Sequence, residues 1–226
     1  ARIIDSTGAE QKILTHPASN YNMLVFDQNL KNNSYVSVYN TNLYQGRNRY
    51  IANVSGTEFE LKTANDTWAV GAQANVSQKY YPDSNPDLGY AFNMEAGKIS
   101  GNFRFAYQQH TQDEKYDIND MGFNTRNNRF EHQVEFEYNI YDPVGKLIEM
   151  DNELSLEYNM LYDNTKFVSF NILSENRTTF TNYITTGFHW EVSPLESHDY
   201  YEPRVDGWML KYPPVGYFGA FFSPDY

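Results

Sequence analysis

Alternation with a period of two runs through most of the chain and limits what it can become. Over residues 67–80, Trp68, Val70, Ala72, Ala74, Val76 and Tyr80 fall on one parity, against Thr67, Gln73, Asn75, Ser77 and Lys79 on the other. Residues 89–97 set Tyr90, Phe92, Met94 and Ala96 against Asn93 and Glu95, and Phe103, Phe105 and Tyr107 oppose Asn102, Arg104, Gln108 and His110. Phe130, Val134, Phe136, Tyr138 and Ile140 oppose Glu131, Gln133, Glu135, Glu137 and Asn139. Ile148, Met150, Leu154, Leu156, Tyr158 and Met160 oppose Glu149, Asp151, Glu153, Ser155, Glu157 and Asn159. Successive side chains of a strand point to opposite faces, so each segment reads as a strand with one apolar and one polar face. Weaker copies near 22–30, 35–45, 51–63, 167–174, 179–192 and 216–222 bring the expectation to about 11 strands joined as consecutive hairpins.

A soluble sheet wet on one side and a membrane barrel both alternate this way. Strand length separates them. Soluble strands average about five or six residues, and several here hold alternation for about twice that. From Trp68 to Tyr80, steps of about 3.3 Å at a tilt near 40° span roughly 30 Å, matching an apolar band with an aromatic ring at each rim. Composition agrees. The 226 residues carry 20 Tyr and 15 Phe, yet mean hydropathy is −0.70 and net charge −12. Rings on one parity and charges on the other reconcile those values. No apolar run is long enough for a transmembrane helix, and so acidic a chain offers phosphate no basic face, which argues against nucleic acid. With no cysteine, a disulfide framework is excluded.

The expected fold is therefore all-β: an antiparallel, up-and-down transmembrane β-barrel. The short connections, near 31–34, 64–66, 98–101, 142–146 and 175–178, alternate with a set near 46–50, 81–88, 111–128, 163–166 and 193–215 that holds every long loop. In outer-membrane barrels the short turns are periplasmic and the long loops outside. An odd strand number does not suit a closed bacterial barrel, and no charged-then-apolar leader opens the sequence. Residues 1–226 thus read as an incomplete segment of a larger barrel, integral to a Gram-negative outer membrane.

Centring one hairpin between Ile99 and Ser100 opposes Glu95 to Arg104 as a salt bridge in the lumen, with Met94 facing Phe105 and Phe92 facing Tyr107. Centring the next on Val144 opposes Glu137 to Asp151, Glu135 to Glu153 and Glu131 to Glu157. Like charges directly opposed destabilise a sheet. Such an acidic wall needs a water-filled lumen that screens it, a basic plug or partner, a bound divalent cation, or raised carboxyl pKa values.

Among the loops, residues 117–123 (Asp-Ile-Asn-Asp-Met-Gly-Phe) lack the spacing and distal Glu of a calcium loop. Asp117, Asn119, Asp120 and Gly122 suit a turn whose side chains bond their own backbone. The stretch Asp199, Tyr200, Tyr201, Glu202, Pro203, Arg204 reads as a packed outer loop or as a contact surface for a glycan or partner. His16, His110, His132, His189 and His198 have no metal-ligand spacing, and neither GxSxG nor a glycine-rich phosphate loop occurs. No catalytic residue, metal or cofactor is implied.

Several stretches resemble one known family. They are Asn20-Tyr21-Asn22 with Val25-Phe26-Asp27-Gln28, Lys31-Asn32-Asn33-Ser34-Tyr35-Val36-Ser37, the run 116–123, the run 199–204, and Ser223-Pro224-Asp225-Tyr226. The chain resembles the C-terminal outer-membrane barrel domain of unknown function of Bacteroidota envelope proteins, often found after a carbohydrate-binding-family-9-like domain. The resemblance implies further barrel before and after these residues, and supplies no catalytic residue. The expected function is a pore, transport element or structural subunit of an envelope assembly in export, uptake or surface-protein handling. Its partners would be outer-membrane lipid and other envelope proteins or a basic plug. The competing readings are an outer-membrane hydrolase with its site at the barrel mouth and a soluble β-sandwich that binds glycans.

Overall fold

A computed structural model of the chain describes residues 2–4, 6–12, 17–46, 50–205 and 207–224. His16, part of the 46–50 connection and the terminal Asp225-Tyr226 lie outside the described residues. The strands are β1 (Arg2–Ile4), β2 (Glu10–Lys12), β3 (Ser19–Asn29), β4 (Tyr35–Gln45), β5 (Tyr50–Lys62), β6 (Trp68–Tyr80), β7 (Asp87–Lys98) and β8 (Phe103–Gln112). They continue as β9 (Arg129–Tyr138), β10 (Leu147–Met160), β11 (Phe167–Phe180), β12 (Thr185–Ser193), β13 (Ser197–Asp199), β14 (Leu210–Tyr212) and β15 (Val215–Ser223). No helix occurs among the described residues.

All the long strands lie in one antiparallel, up-and-down sheet of 11 strands, from β3 through β12 in chain order and ending on β15, while β1–β2 and β13–β14 form separate ribbons. A sandwich would need two sheets packed face to face. The sheet is not closed: β3 and β15 are both edges. Each neighbour reverses direction, so across 11 strands the two edges run the same way. They could meet only as a parallel pair; antiparallel closure needs an odd number of intervening strands.

Pairing confirms the two faces. One carries Glu58, Gln73, Asn93, His110, Glu131, Asn159 and Ser169 in a continuous row, and the adjacent row on the other face carries Phe59, Ala72, Met94, Gln109, His132, Tyr158 and Phe170. The second face stays uncovered, with Val70 40%, Tyr90 53% and Phe218 69% exposed. The buried apolar side chains among the described residues are Leu43, Ala52, Ala91, Tyr116 and Leu161. Of these, Leu43, Ala52 and Ala91 stand on the polar parity, in rows with Lys79 and Asn75. Among the described residues the apolar face therefore has no core packed against it. It is also interrupted by amides: Asn40 donates to Asn53 (2.8 Å) and Ser55 (2.9 Å), and Asn53 donates to Gln78 (2.9 Å). Bonding one another, these groups lose less on leaving water than isolated amides would.

The structure corrects the expected registers. Lys98 pairs with Phe105 and Glu95 with Gln108, so Glu95 does not face Arg104, Met94 faces Gln109, and Phe92 faces Thr111. The connection 99–102 is wider than a tight turn: Gly101 sits at φ +82° and the Ile99 amide bonds Thr67 O of the neighbouring turn instead of closing its own hairpin. Arg104 instead faces Glu137 and bonds its carboxylate. In the next hairpin Val144 bridges Leu147 and Ile140 bridges Met150 around Gly145 at φ +64°. The register moves accordingly. Glu137 opposes Glu153, Glu135 opposes Ser155, Glu157 opposes Gln133 and Glu131 opposes Asn159, while Asp151 faces Arg177. Of three expected like-charge pairs none survives as drawn, but Glu153 stands between Glu137 and Glu175. The turn expected near 175–178 lies at 181–184, because β11 runs on to Phe180.

Candidate functional site

The polar face becomes a site at the end of the sheet where the long loops lie, because residues 113–128 fold back over it. The fold-back begins with a glycine. Gly89 points to the polar face of β7, and a Cβ there would lie 2.3 Å from Tyr116 N and 2.4 Å from Lys115 O. Only a residue without a side chain lets the loop backbone rest on the strand. Tyr116 is thereby 6% exposed, and burial pushes its phenol up to about 12. Next to it the Asp117 amide donates to Ser77 Oγ at 3.1 Å. Lys79 of β6 binds Asp117 at 2.6 Å and Asp120 at 2.9 Å. The Tyr50 hydroxyl, at the start of β5, donates to Asp120 Oδ2 at 2.6 Å.

Within the loop, Asp117 Oδ1 accepts the Asn119 amide (2.9 Å), Asn119 Oδ1 accepts the Asn124 amide (2.8 Å), and the Gly122 amide donates to Ile118 O (2.8 Å). The turn expected from Asp117, Asn119 and Gly122 is present. Its second carboxylate, Asp120, serves the wall. Burial alone would raise the Asp117 carboxyl, but the bonds from Lys79 and the Asn119 amide outweigh it and hold the group below the usual carboxylate range. A depressed folded value means that this stabilisation is fully present above the ordinary carboxylate pKa and is lost as pH falls through the folded one. Acidification is accordingly expected to release the loop. The check is hydrogen exchange at the Asp117 amide, corrected for intrinsic rate, which loses protection in acid; Asp117→Asn removes that acid step.

The second loop leans on the first. Asp199 Oδ1 accepts the amides of Tyr201 (2.8 Å) and Glu202 (3.1 Å), and these bonds hold its carboxyl below the usual range. Tyr200 donates to Phe167 O at 3.1 Å. Tyr201 donates to Asn127 O at 2.7 Å, with the Arg126 guanidinium 5.1 Å from its ring centre. Glu202 and Arg204 are exposed, with Arg204 at φ +53° closing the turn onto Tyr201 O. The two motifs, far apart in sequence, are thus one assembly.

Cavities open along the polar face, and two of them adjoin near the inward loop. One, about 490 Å³, lies along the wall and is lined by Glu58, Glu60, Glu95, Glu131 and Glu157. The other, about 450 Å³, lies between the inward loop and the wall. Among the described residues no group of three or more His, Asp or Glu is placed to hold a metal ion. The described histidines contact Arg129 (His110), Tyr107 (His132), Tyr217 (His189) and Glu196 (His198).

The family model described as "Domain of unknown function (DUF5916)" matches residues 1–226. The chain belongs to that family. No curated protein and no solved structure matches it. In this DUF5916 chain, sequence reasoning passed over Lys79, Tyr50 and Gly89 because each is an ordinary member of its strand. Only Gly89 carried a signal, since a glycine inside a strand often marks the close approach of another backbone.

Proposed function

We propose that the chain forms part of the wall of an outer-membrane β-barrel in a Bacteroidota envelope, serving as a pore or transport element, with residues 113–128 narrowing its mouth. One observation carries the reading: the apolar face of an 11-stranded sheet is exposed while the few buried apolar side chains lie on the polar side or in loops. In water such a face would collapse onto a partner sheet or aggregate. In a bilayer, lipid is its solvent and every strand but the edges satisfies its backbone by pairing. Further strands, odd in number, complete the barrel between β15 and β3. The long loops face outward from the cell and the acidic wall lines the channel.

The full-length protein tests this directly. Unboiled samples are expected to migrate apart from boiled ones on gels, and the purified protein to conduct ions across planar bilayers. A protein that stays in the aqueous phase on detergent partition sinks the membrane reading, and a membrane protein without conductance reduces it to a structural subunit.

A further inference from the structure

The cavity between the inward loop and the wall shares Gln73, Asn93 and His110 with the acidic cavity beside it but differs from it in charge. The neighbouring cavity is lined by five carboxylates, Glu58, Glu60, Glu95, Glu131 and Glu157; this one has none. It is lined instead by carboxamides and aromatic rings, with Arg129 as its cation. Along the wall the polar groups form one relay: Asn93 donates to Gln73 (2.9 Å), Gln73 to the Tyr39 hydroxyl (2.8 Å), and Tyr39 to Asn75 Oδ1 (2.6 Å). The relay is open at its start. Among the described residues Asn93 Oδ1 is buried and accepts no hydrogen bond, and Nε of Arg129, a residue that also lines the cavity, is buried and donates none. A buried polar atom without a partner is costly, and a ligand that supplies the partner recovers that cost. Phe123, at the loop tip, lines the same space with 85% of its surface exposed.

We infer that this cavity binds a neutral, polyhydroxylated ligand, a sugar unit of an oligosaccharide. A hydroxyl is both donor and acceptor, so one hydroxyl-bearing ring supplies both missing partners when the Asn93 and Arg129 side chains turn their unmet atoms, closed to solvent, toward it. A cation is repelled by Arg129 and better held by the adjoining carboxylates. An anion must compete for a guanidinium already engaged with Glu131 (3.4 Å) and His110 (3.2 Å), beside an acidic wall. Sugar rings also present flat C–H faces, which gives the exposed ring of Phe123 an apolar partner without requiring a charge. At about 450 Å³ the space lies within the usual range for small-ligand sites, about 300–1,000 Å³.

The inference rests on the pore reading only for access to the cavity. Its test is saturation-transfer NMR on the full-length protein in detergent micelles, with maltohexaose, cellohexaose, xylohexaose and chitohexaose as probes. Saturation is expected to pass to the ring protons of one or more of them. Phe123→Ala and Asn93→Leu are each expected to weaken binding about tenfold, and Phe123→Ala, at an exposed position, to leave the melting temperature unchanged. Absence of transfer to every probe, or binding that survives both substitutions, overturns the inference. Bilayer conductance on the same preparation separates the two readings: conductance without sugar binding removes this one alone, and sugar binding without conductance removes the pore alone.

Discussion

Ala72→Arg is expected to abolish insertion into the outer membrane, while Gln73→Arg leaves it intact. The two positions are neighbours in the middle of β6, so propensity, depth and folding order are the same for both. They differ in facing. Ala72 stands between Phe59 and Met94 on the uncovered apolar face, and Gln73 between Glu58 and Asn93 on the polar one. A lipid-facing arginine near the bilayer midplane costs about 2–4 kcal/mol, which lowers the inserted fraction by about 30- to 1,000-fold. At position 73 a guanidinium stays in water beside Glu58, whose carboxylate already accepts a bond from the Gln73 amide at 3.3 Å. The measurement is the heat-modifiable fraction recovered from outer membranes. Equal loss at both positions overturns the facing assignment, and wild-type recovery of both overturns lipid as the solvent of this face.

That asymmetry was readable from sequence because the strand period is local: six or seven residues suffice to assign a parity, as Trp68 to Tyr80 shows. Register is not local in that sense. Moving a hairpin by two residues preserves every facing, so Glu137 against Glu153 and Glu137 against Asp151 fit the alternation equally well. The choice was made by turns that depend on single glycines, Gly101 and Gly145, and on a bond to a neighbouring turn. The end of β11 was hidden for another reason. Residues 174–179 (Ser-Glu-Asn-Arg-Thr-Thr) are polar on both parities and read as a turn. They remain strand because Arg177 faces Asp151 and Asn176 donates to Asn152 on β10, partners that alternation does not reveal. The same holds for the amides at Asn40, Asn53 and Gln78, which interrupt the apolar face and weaken its signal where β4 and β5 were faintest. The site was least legible. The 117–123 motif announced its own turn, but its anchor on Lys79 lies 38 residues away, and nothing in the alternation of β6 marks that lysine apart from Gln73 or Ser77.

Gly89→Ala is expected to lift residues 113–128 off the wall. The new Cβ would meet backbone, Tyr116 N at 2.3 Å and Lys115 O at 2.4 Å, and backbone cannot rotate aside as the end of a side chain can. Either β7 loses its pairing with β6 at this end or the loop leaves. The loop is the weaker of the two. It is held by the Lys79 contacts to Asp117 and Asp120, the Tyr50 and Ser77 bonds and the buried ring of Tyr116, whereas β7 is paired with β6 along its whole length and with β8 from Ala91 to Lys98. Releasing Tyr116 alone forfeits about 1.5–3 kcal/mol of burial. Lys115 is exposed, but the bond that follows it is pressed on Gly89, so trypsin needs the loop released before it can cut there. Cleavage after Lys115 should therefore quicken by about tenfold or more in Gly89→Ala, and single-channel conductance of the full-length protein should rise as the mouth widens. Gly71→Ala is the control, on the same face of the adjacent strand, where the nearest atom to a Cβ is Phe59 O at 3.4 Å. An unchanged cleavage rate in Gly89→Ala shows that the loop is not seated on the strand, and equal acceleration in Gly71→Ala shows that any methyl group on this wall loosens the sheet. In either case Gly89 is not what seats residues 113–128 on the wall.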